Sequence, residues 1–281
     1  MKPVERGTRQ VELRHGAATD VGRVREVNED AYLAEPPVFM VADGMGGHEG
    51  GDVASRIVAE EFGRLAADGF DPTAAAEAVE TTLGRCQLRI LEYAAEQTRA
   101  GVSRRRSAGT TVVAALLVED EGGEPAWLVA NLGDSRAYRV VDGRLEQVST
   151  DHSLVQELLA AGRITPEEAA VHPERNVITR ALGESSDPQP DFFLLGLADA
   201  DRLLLCSDGI TGMLDDETVA RVLADAPDAR DAAPRLVAAA VEAGGEDNAT
   251  AVVVDVVGLR DDDGRAAPAR AGLEDDGETL P

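Results

Sequence analysis

The sequence predicts an α+β protein in which two mostly antiparallel sheets stack face to face with helices outside. Three observations carry this. Short apolar runs bounded by glycine and aspartate recur along the chain, as strands do. RAYRVV is followed by Asp142-Gly143 and then RLEQV, and an Asp-Gly pair supports the type I′ turn of a hairpin. Helical patterns arrive in pairs rather than between successive strands. A doubly wound parallel sheet needs a helix between most strands, which is not the order here. Two stacked sheets covered by helix pairs satisfy both patterns.

In order, AYLAE (31–35) and VFMVA (38–42) read as strands. Over 52–67, Val53, Ile57, Val58, Phe62 and Leu65 share one helical face. An alanine-rich stretch opening at Pro72 reads as a second long helix over 72–97. TTVVAALLV and AWLVANL are strands joined by the polar loop EDEGGEP, and the Asp142-Gly143 hairpin follows. Residues 152–190 carry four prolines and read as irregular, with one short helix around 153–161. RLLLCS is a strand, 215–224 and 231–243 are helices, and ATAVVVDVV is the last strand. Residues 1–9 read as an extension, and 258–281 turn acidic and read as a disordered tail.

Composition narrows the function. Among 281 residues, 27 Lys and Arg face 53 Asp and Glu, a formal charge of −26. Such a field repels nucleic acid and anionic membranes, so neither is expected as a partner. Cys86 and Cys206 make no disulfide framework, which fits a reduced, cytoplasmic setting. MKPVERGTRQ contains no apolar stretch of the signal-peptide kind. No apolar run approaches the roughly 20 residues that span a bilayer. Lys2 is the only lysine, so there is no GK[ST] phosphate loop. A phospho-receiver domain also clusters aspartates at strand ends, but usually with a lysine among them.

The chemistry is expected at strand ends. Asp30 precedes the strand 31–35 and Asp43 follows the strand 38–42. If these pair, both carboxylates lie at one open end. Asp208 follows RLLLCS and Asp247 precedes the last strand, which repeats the arrangement. Asp134 sits in ANLGDSR between two strands. One such aspartate is ordinary turn chemistry. Several together repel unless a cation neutralises them, and oxygen ligands favour hard divalent ions such as Mg²⁺ or Mn²⁺. A shared carboxylate can bridge two ions about 3.5–4 Å apart, an arrangement used on phosphate esters. Gly44, lacking a side chain, lets its carbonyl approach an ion. Arg25, five residues before Asp30, can enter the same end and match phosphate oxygens in two-pronged geometry.

The blocks REVNED, VADGMGGHEGG, AGTT, ANLGDSR, NVITRALG, LLLCSDGITGML and GGEDNAT follow one another in the order and spacing of the PPM family. The chain thus resembles the metal-dependent, type 2C Ser/Thr protein phosphatases, in their bacterial branch, over roughly residues 10–257. The resemblance implies an α-β-β-α sandwich and a binuclear Mn²⁺/Mg²⁺ centre that activates water to hydrolyse phosphoserine and phosphothreonine on proteins. By motif, Asp43 would bridge two ions, Asp208 and Asp247 would hold one, and Gly44 would offer its carbonyl to the other. Asp30 and Glu29 would act near that second ion, Asp134 and Asp208 would hold a weaker third, and Arg25 would bind phosphate. Asn248 would orient water. Residues 152–190 would be the family's flap, and the substrates would be the products of a Ser/Thr kinase, met by a monomeric enzyme in bacterial signalling.

One departure stands out. Many eukaryotic members carry histidine directly after the DG pair, where this chain has Met45; His48 is the nearest candidate for that acid role. Two other readings remain open in the sequence: a catalytically silent phospho-binding or regulatory module of the same fold, and a phosphatase for a small metabolite.

Overall fold

Runs such as VFMVA lack the polar alternation of a strand with one wet face. Burial on both faces explains them. The computed structural model describes residues 10–46, 50–100, 108–184 and 186–260. The first half comprises β1 (Gln10–Asp20), β2 (Ala31–Glu35), β3 (Val38–Ala42), β4 (Gly44–Met45), α1 (Gly51–Asp68), α2 (Ala75–Arg99), β5 (Gly109–Thr110), β6 (Val112–Glu119) and β7 (Pro125–Leu132). The second comprises β8 (Arg136–Val141), β9 (Arg144–Gln147), α3 (Leu154–Ala160), α4 (Pro166–Ala170), β10 (Asp191–Gly196), β11 (Arg202–Cys206), α5 (Asp208–Thr211), α6 (Asp216–Asp225), α7 (Ala229–Ala243) and β12 (Ala249–Arg260).

One sheet runs β1-β12-β11-β8-β9, the other β10-β7-β6-β3-β2, and β4 pairs with β5. Paired neighbours are antiparallel. Successive side chains of a strand point to opposite faces. In β3, Phe39 and Val41 meet Leu203, Leu205, Val252 and Val254 of the other sheet, with Trp127 and Val129 beside them. Val38, Met40 and Ala42 point the other way, against Ala54, Val58 and Phe62 of α1 and Leu83 of α2. The other sheet repeats this: Leu204, Cys206, Ala251 and Val253 pack under Leu223 of α6 and Leu236 and Ala240 of α7. Three apolar layers make four layers of structure, the expected α-β-β-α sandwich. Each fully buried large side chain contributes roughly 1.5–3 kcal/mol, against about 0–1 for an exposed ion pair. These layers, not the surface charges, hold the fold.

The Asp142-Gly143 hairpin forms as expected, with φ of 51° and 74° at the two turn residues. Several elements differ from the sequence reading. β1 was not foreseen; its Gly16 interrupts the pattern because α7 crosses there, and a Cβ would lie 2.3 Å from the Ala229 carbonyl oxygen. β10, directly after the prolines at 188 and 190, was also missed. The first turn of the 72–97 helix is a separate 3₁₀ turn, Pro72–Ala74, capped by Asp71. The strand expected from Thr110 breaks at Thr111, whose amide donates to the Asp43 carbonyl instead of continuing one ladder. The 152–190 segment holds two helices, α3 and α4, the second started by a Thr165/Glu168 capping box. β12 continues to Arg260, past the expected domain end at 257, because its last residues pair with Gln10–Glu12. Residues 1–9 and 261–281, and so most of the expected tail, lie outside the described residues.

Candidate metal centre and phosphate site

The register decides where the aspartates go. Ala31 pairs with Ala42, so Asp30 and Asp43 flank one end of the β2–β3 hairpin. Cys206 pairs with Ala251, and the Ser207 amide donates to the Thr250 carbonyl, so Asp208 leaves β11 near the start of β12, where Asp247 lies. One hydroxyl ties the two sheet edges together. Ser207 Oγ accepts the Thr250 amide at 3.0 Å and donates to Asp30 Oδ2 at 2.8 Å. A second tie is Thr111: its Oγ1 accepts the Asp43 amide at 3.0 Å and lies 2.7 Å from Ser135 Oγ, beside Asp134.

The carboxylates crowd one another. Surrounding protein strips them of water while each keeps a partly exposed edge. Burial, with Asp208 and Asp247 nearby, pushes Asp30 up to about 7 from an ordinary 3.8. Burial, then Asp208 and Asp151, pushes Asp134 to about 7 as well. Asp43 is raised well above the ordinary carboxylate range by burial and by Asp30, Asp208 and Asp134. Asp208 is raised by burial and by Asp247, against the lowering effect of Arg25 and Arg136. A cluster of this kind gains by holding either protons or cations.

The residues fit a hard divalent ion in donor chemistry: several carboxylates and backbone carbonyls, with no soft ligand. Asp30 Oδ1 and Asp134 Oδ1 are buried and have no hydrogen-bond partner. Among the described residues, no three acidic, histidine or cysteine side chains already close around one point. Two of the carboxylates are turned to protein partners, Asp30 to Ser207 and Asp247 to Arg25.

Arg25 lies where the sequence predicts. Its Nη2 donates to Asp247 Oδ2 at 2.7 Å, and half of its side chain is exposed. Glu29 is buried at the same end, its carbonyl accepting the Ser55 hydroxyl at the start of α1. Gly44 is explained first by packing: a Cβ there would lie 2.3 Å from the Gly51 carbonyl oxygen and 2.4 Å from that of Glu29. Three backbone segments meet at a point with no room for a methyl group.

Asn248 differs from the expectation. Its Oδ1 accepts the Glu29 amide at 2.9 Å, and its Nδ2 donates to the Val21 and Val27 carbonyls at 2.9 and 3.0 Å. Both ends of the amide are committed to backbone, so it pins the 21–30 loop rather than orienting water. His48 lies outside the described residues. Cys86 and Cys206 are buried, and burial pushes both thiols up to about 12, which removes them as nucleophiles. Ser207, Thr111 and the Arg136–Asp151 pair at 2.7 Å were not singled out in sequence. The blocks AGTT and ANLGDSR contain Thr111 and Arg136, but only the folded contacts give them a task.

Comparison with known proteins shows which family the chain belongs to. Residues 23–239 match the family described as Protein phosphatase 2C. The chain belongs to that family. Serine/threonine protein phosphatase PstP of Mycobacterium tuberculosis is 38% identical over 279 residues, covering 96% of this chain and 50% of that protein. The chain therefore spans about half the length of that curated relative. Serine/threonine phosphatase stp of Listeria monocytogenes is 37% identical over 250 residues, covering 84% of this chain and 93% of the relative. The crystal structure of the catalytic domain of PstP in complex with two manganese ions superposes with a TM-score of 0.72 at 36% identity, over 87% of this chain and 98% of that one. Among the described residues, no helix is long and apolar enough to cross a membrane.

Proposed function

We propose that the chain hydrolyses phosphoserine and phosphothreonine on proteins, using a binuclear Mn²⁺ or Mg²⁺ centre at the joined sheet edges. The observation that carries this reading is the set of crowded aspartates from both sheets beside an outward-reaching arginine. In this reading Asp43 would serve both ions, Asp208 and Asp247 would hold one and the Gly44 carbonyl the other, with Asp30 and Glu29 nearby. Asp134 and Asp208 would hold a weaker third ion. When bound, the ions supply positive charge for the phosphoryl oxygens and activate water at neutral pH.

The protein's own groups do the rest. Arg25 binds and orients the substrate phosphate through guanidinium donors not engaged by Asp247. Ser207 and Thr111 hold Asp30 and Asp43 at fixed separation, so binding energy is not spent on ordering them. No side-chain nucleophile is required. The substrates are phosphorylated proteins made by a Ser/Thr kinase, met by a monomeric enzyme in the cytoplasm. His48 is carried as the candidate acid in place of Met45.

The test is a phosphothreonine peptide assay on chelator-stripped protein, with Mn²⁺ titrated back and Asp43→Asn as control. Activity should appear only with metal and be absent from the control. Full turnover without metal would exclude the two-ion reading. Phosphopeptide binding without turnover would favour a silent module, and a preference for small phosphomonoesters over every phosphopeptide would favour a metabolite phosphatase.

A further inference from the structure

His152 has no place in the scheme above, yet it is almost wholly buried, 5% exposed, and every polar atom of it is used. Its Nδ1 accepts the Gly133 amide at 3.1 Å, and its own amide donates back to the Gly133 carbonyl at 2.9 Å. Its carbonyl accepts the Thr179 amide at 2.8 Å. Nε2 lies 3.2 Å from Asp191 Oδ2 and 3.2 Å from Arg180 Nη1, and Arg180 also donates to Asp191 Oδ1 at 3.1 Å.

These contacts fix the ring's tautomer. A backbone N–H can only donate, so Nδ1 carries the lone pair and Nε2 the proton. That proton goes to Asp191. Arg180, also a donor only, is satisfied by Asp191 rather than by the ring. The chain of bonds runs from Arg180 through Asp191 and His152 to Gly133, the residue before Asp134.

The Gly133 turn needs such a hold. Its φ is +120°, and a Cβ would lie 2.6 Å from Thr111 Cβ. Asp134, next in the chain, keeps a buried Oδ1 without a protein partner. Partners behind a ligating group set its orientation, so whatever holds the Gly133 turn bears on where the Asp134 carboxylate points. Asn131 Nδ2, bonded to the Gly133 and Thr150 carbonyls at 3.1 and 3.0 Å, clamps one side; His152 clamps the amide side.

We propose that His152 is a positioning residue for Asp134: its Nδ1, in the tautomer set by Asp191, holds the Gly133 amide and so fixes where the Asp134 carboxylate points. The same ring ties both ends of the 152–190 segment to that turn. The inference rests on the catalytic reading of Asp134, so its test includes that residue.

Two substitutions separate the ring nitrogens. In His152→Asn, Oδ1 stands where Nδ1 was and can accept the Gly133 amide. In His152→Gln, the amide reaches toward Asp191 and offers nothing to Gly133. Hydrogen exchange of the 132–135 amides is read on metal-free protein, and kcat and KM with Mn²⁺ on a small phosphomonoester. Gln is expected to speed exchange and lower kcat by about 10-fold or more, the usual cost of losing an outer-shell partner, with KM little changed; Asn should stay near wild type in both. Equal losses of rate and stability in Asn and Gln would reduce His152 to a core filler and overturn the proposal, as would a Gln variant with wild-type kcat. Asp134→Ala should lower kcat by about 10-fold. If it does and His152→Gln does not, this inference alone fails; if it does not, the reading of Asp134 fails and the catalytic consequence with it. Should His152→Gln not fold, Asp191→Ala, at a half-exposed site, must speed exchange at 132–135 and lower kcat, and wild-type behaviour in both overturns the proposal.

Discussion

Arg25 faces two ways. One donor is held by Asp247 at 2.7 Å, while the exposed half of the side chain keeps further donors for a ligand. Truncating it should therefore act on phosphate and metal in opposite senses. Arg25→Ala is expected to raise KM for phosphomonoesters at least about 10-fold, the equivalent of one charge-assisted hydrogen bond of roughly 1.5 kcal/mol. Mn²⁺ affinity should hold or improve, because a cation competing for Asp247 is gone. Steady-state kinetics beside calorimetric Mn²⁺ titration would show this, and an unchanged KM would remove Arg25 from the phosphate site. Gly44 teaches a related lesson. Its missing side chain suggested a carbonyl exposed to an ion, but the nearer cause is that Gly51 and Glu29 leave no volume for a Cβ. A glycine motif announces close approach without saying what approaches.

The β1–β2 connection is the element that brings Arg25, Glu29 and Asp30 to the site, and one buried side chain holds it. Asn248 makes three bonds to its backbone across more than two hundred residues of sequence. Asn248→Ala would orphan one amide and two carbonyls, and we expect a loss of roughly 2–3 kcal/mol. Urea unfolding measures that loss, and hydrogen exchange should locate it in the amides of 21–30. Wild-type stability with unaltered exchange there would refute the pinning role. Elements with strong local signals were legible: the α1 face, the two-sided apolar run of β3, and the Asp142-Gly143 turn. β1 and β10 were not. β1 is an edge strand whose Gly16 is explained only by α7, and β10 follows a proline cluster that reads as loop.

For the whole molecule, the acidic centre sets a pH dependence. Asp30 and Asp134 lie near 7 in the folded protein against an ordinary 3.8, and Asp43 and Asp208 are also raised. Between about pH 4 and pH 7 the folded state keeps protons that the unfolded chain has lost, so unfolding releases protons and metal-free stability falls as pH rises through that window. Divalent cations held by the ionised carboxylates, as proposed above, should reverse the loss. Melting in chelator should give a lower Tm at about pH 7.5 than at pH 5, with the larger gain on adding Mn²⁺ at the higher pH. A chelated protein whose Tm climbs from pH 5 to 7.5, with equal Mn²⁺ gains at both, would contradict this.

The sequence alone determined the class of fold, the face that the first long helix buries, and the identity of the strand-end aspartates with Arg25 beside them. These are properties of residues close in the chain, where periodicity and turn chemistry act. Which aspartates crowd together was decided by the register of two antiparallel pairs and by Ser207 reaching Asp30 across 177 residues. Tertiary structure likewise assigned Asn248 to backbone, made the glycines at 44 and 133 points of close approach, and set His152 behind the Asp134 turn. Local pattern could not hold these facts, because each depends on a hydrogen bond or a steric limit between segments that only folding brings within 3 Å of one another.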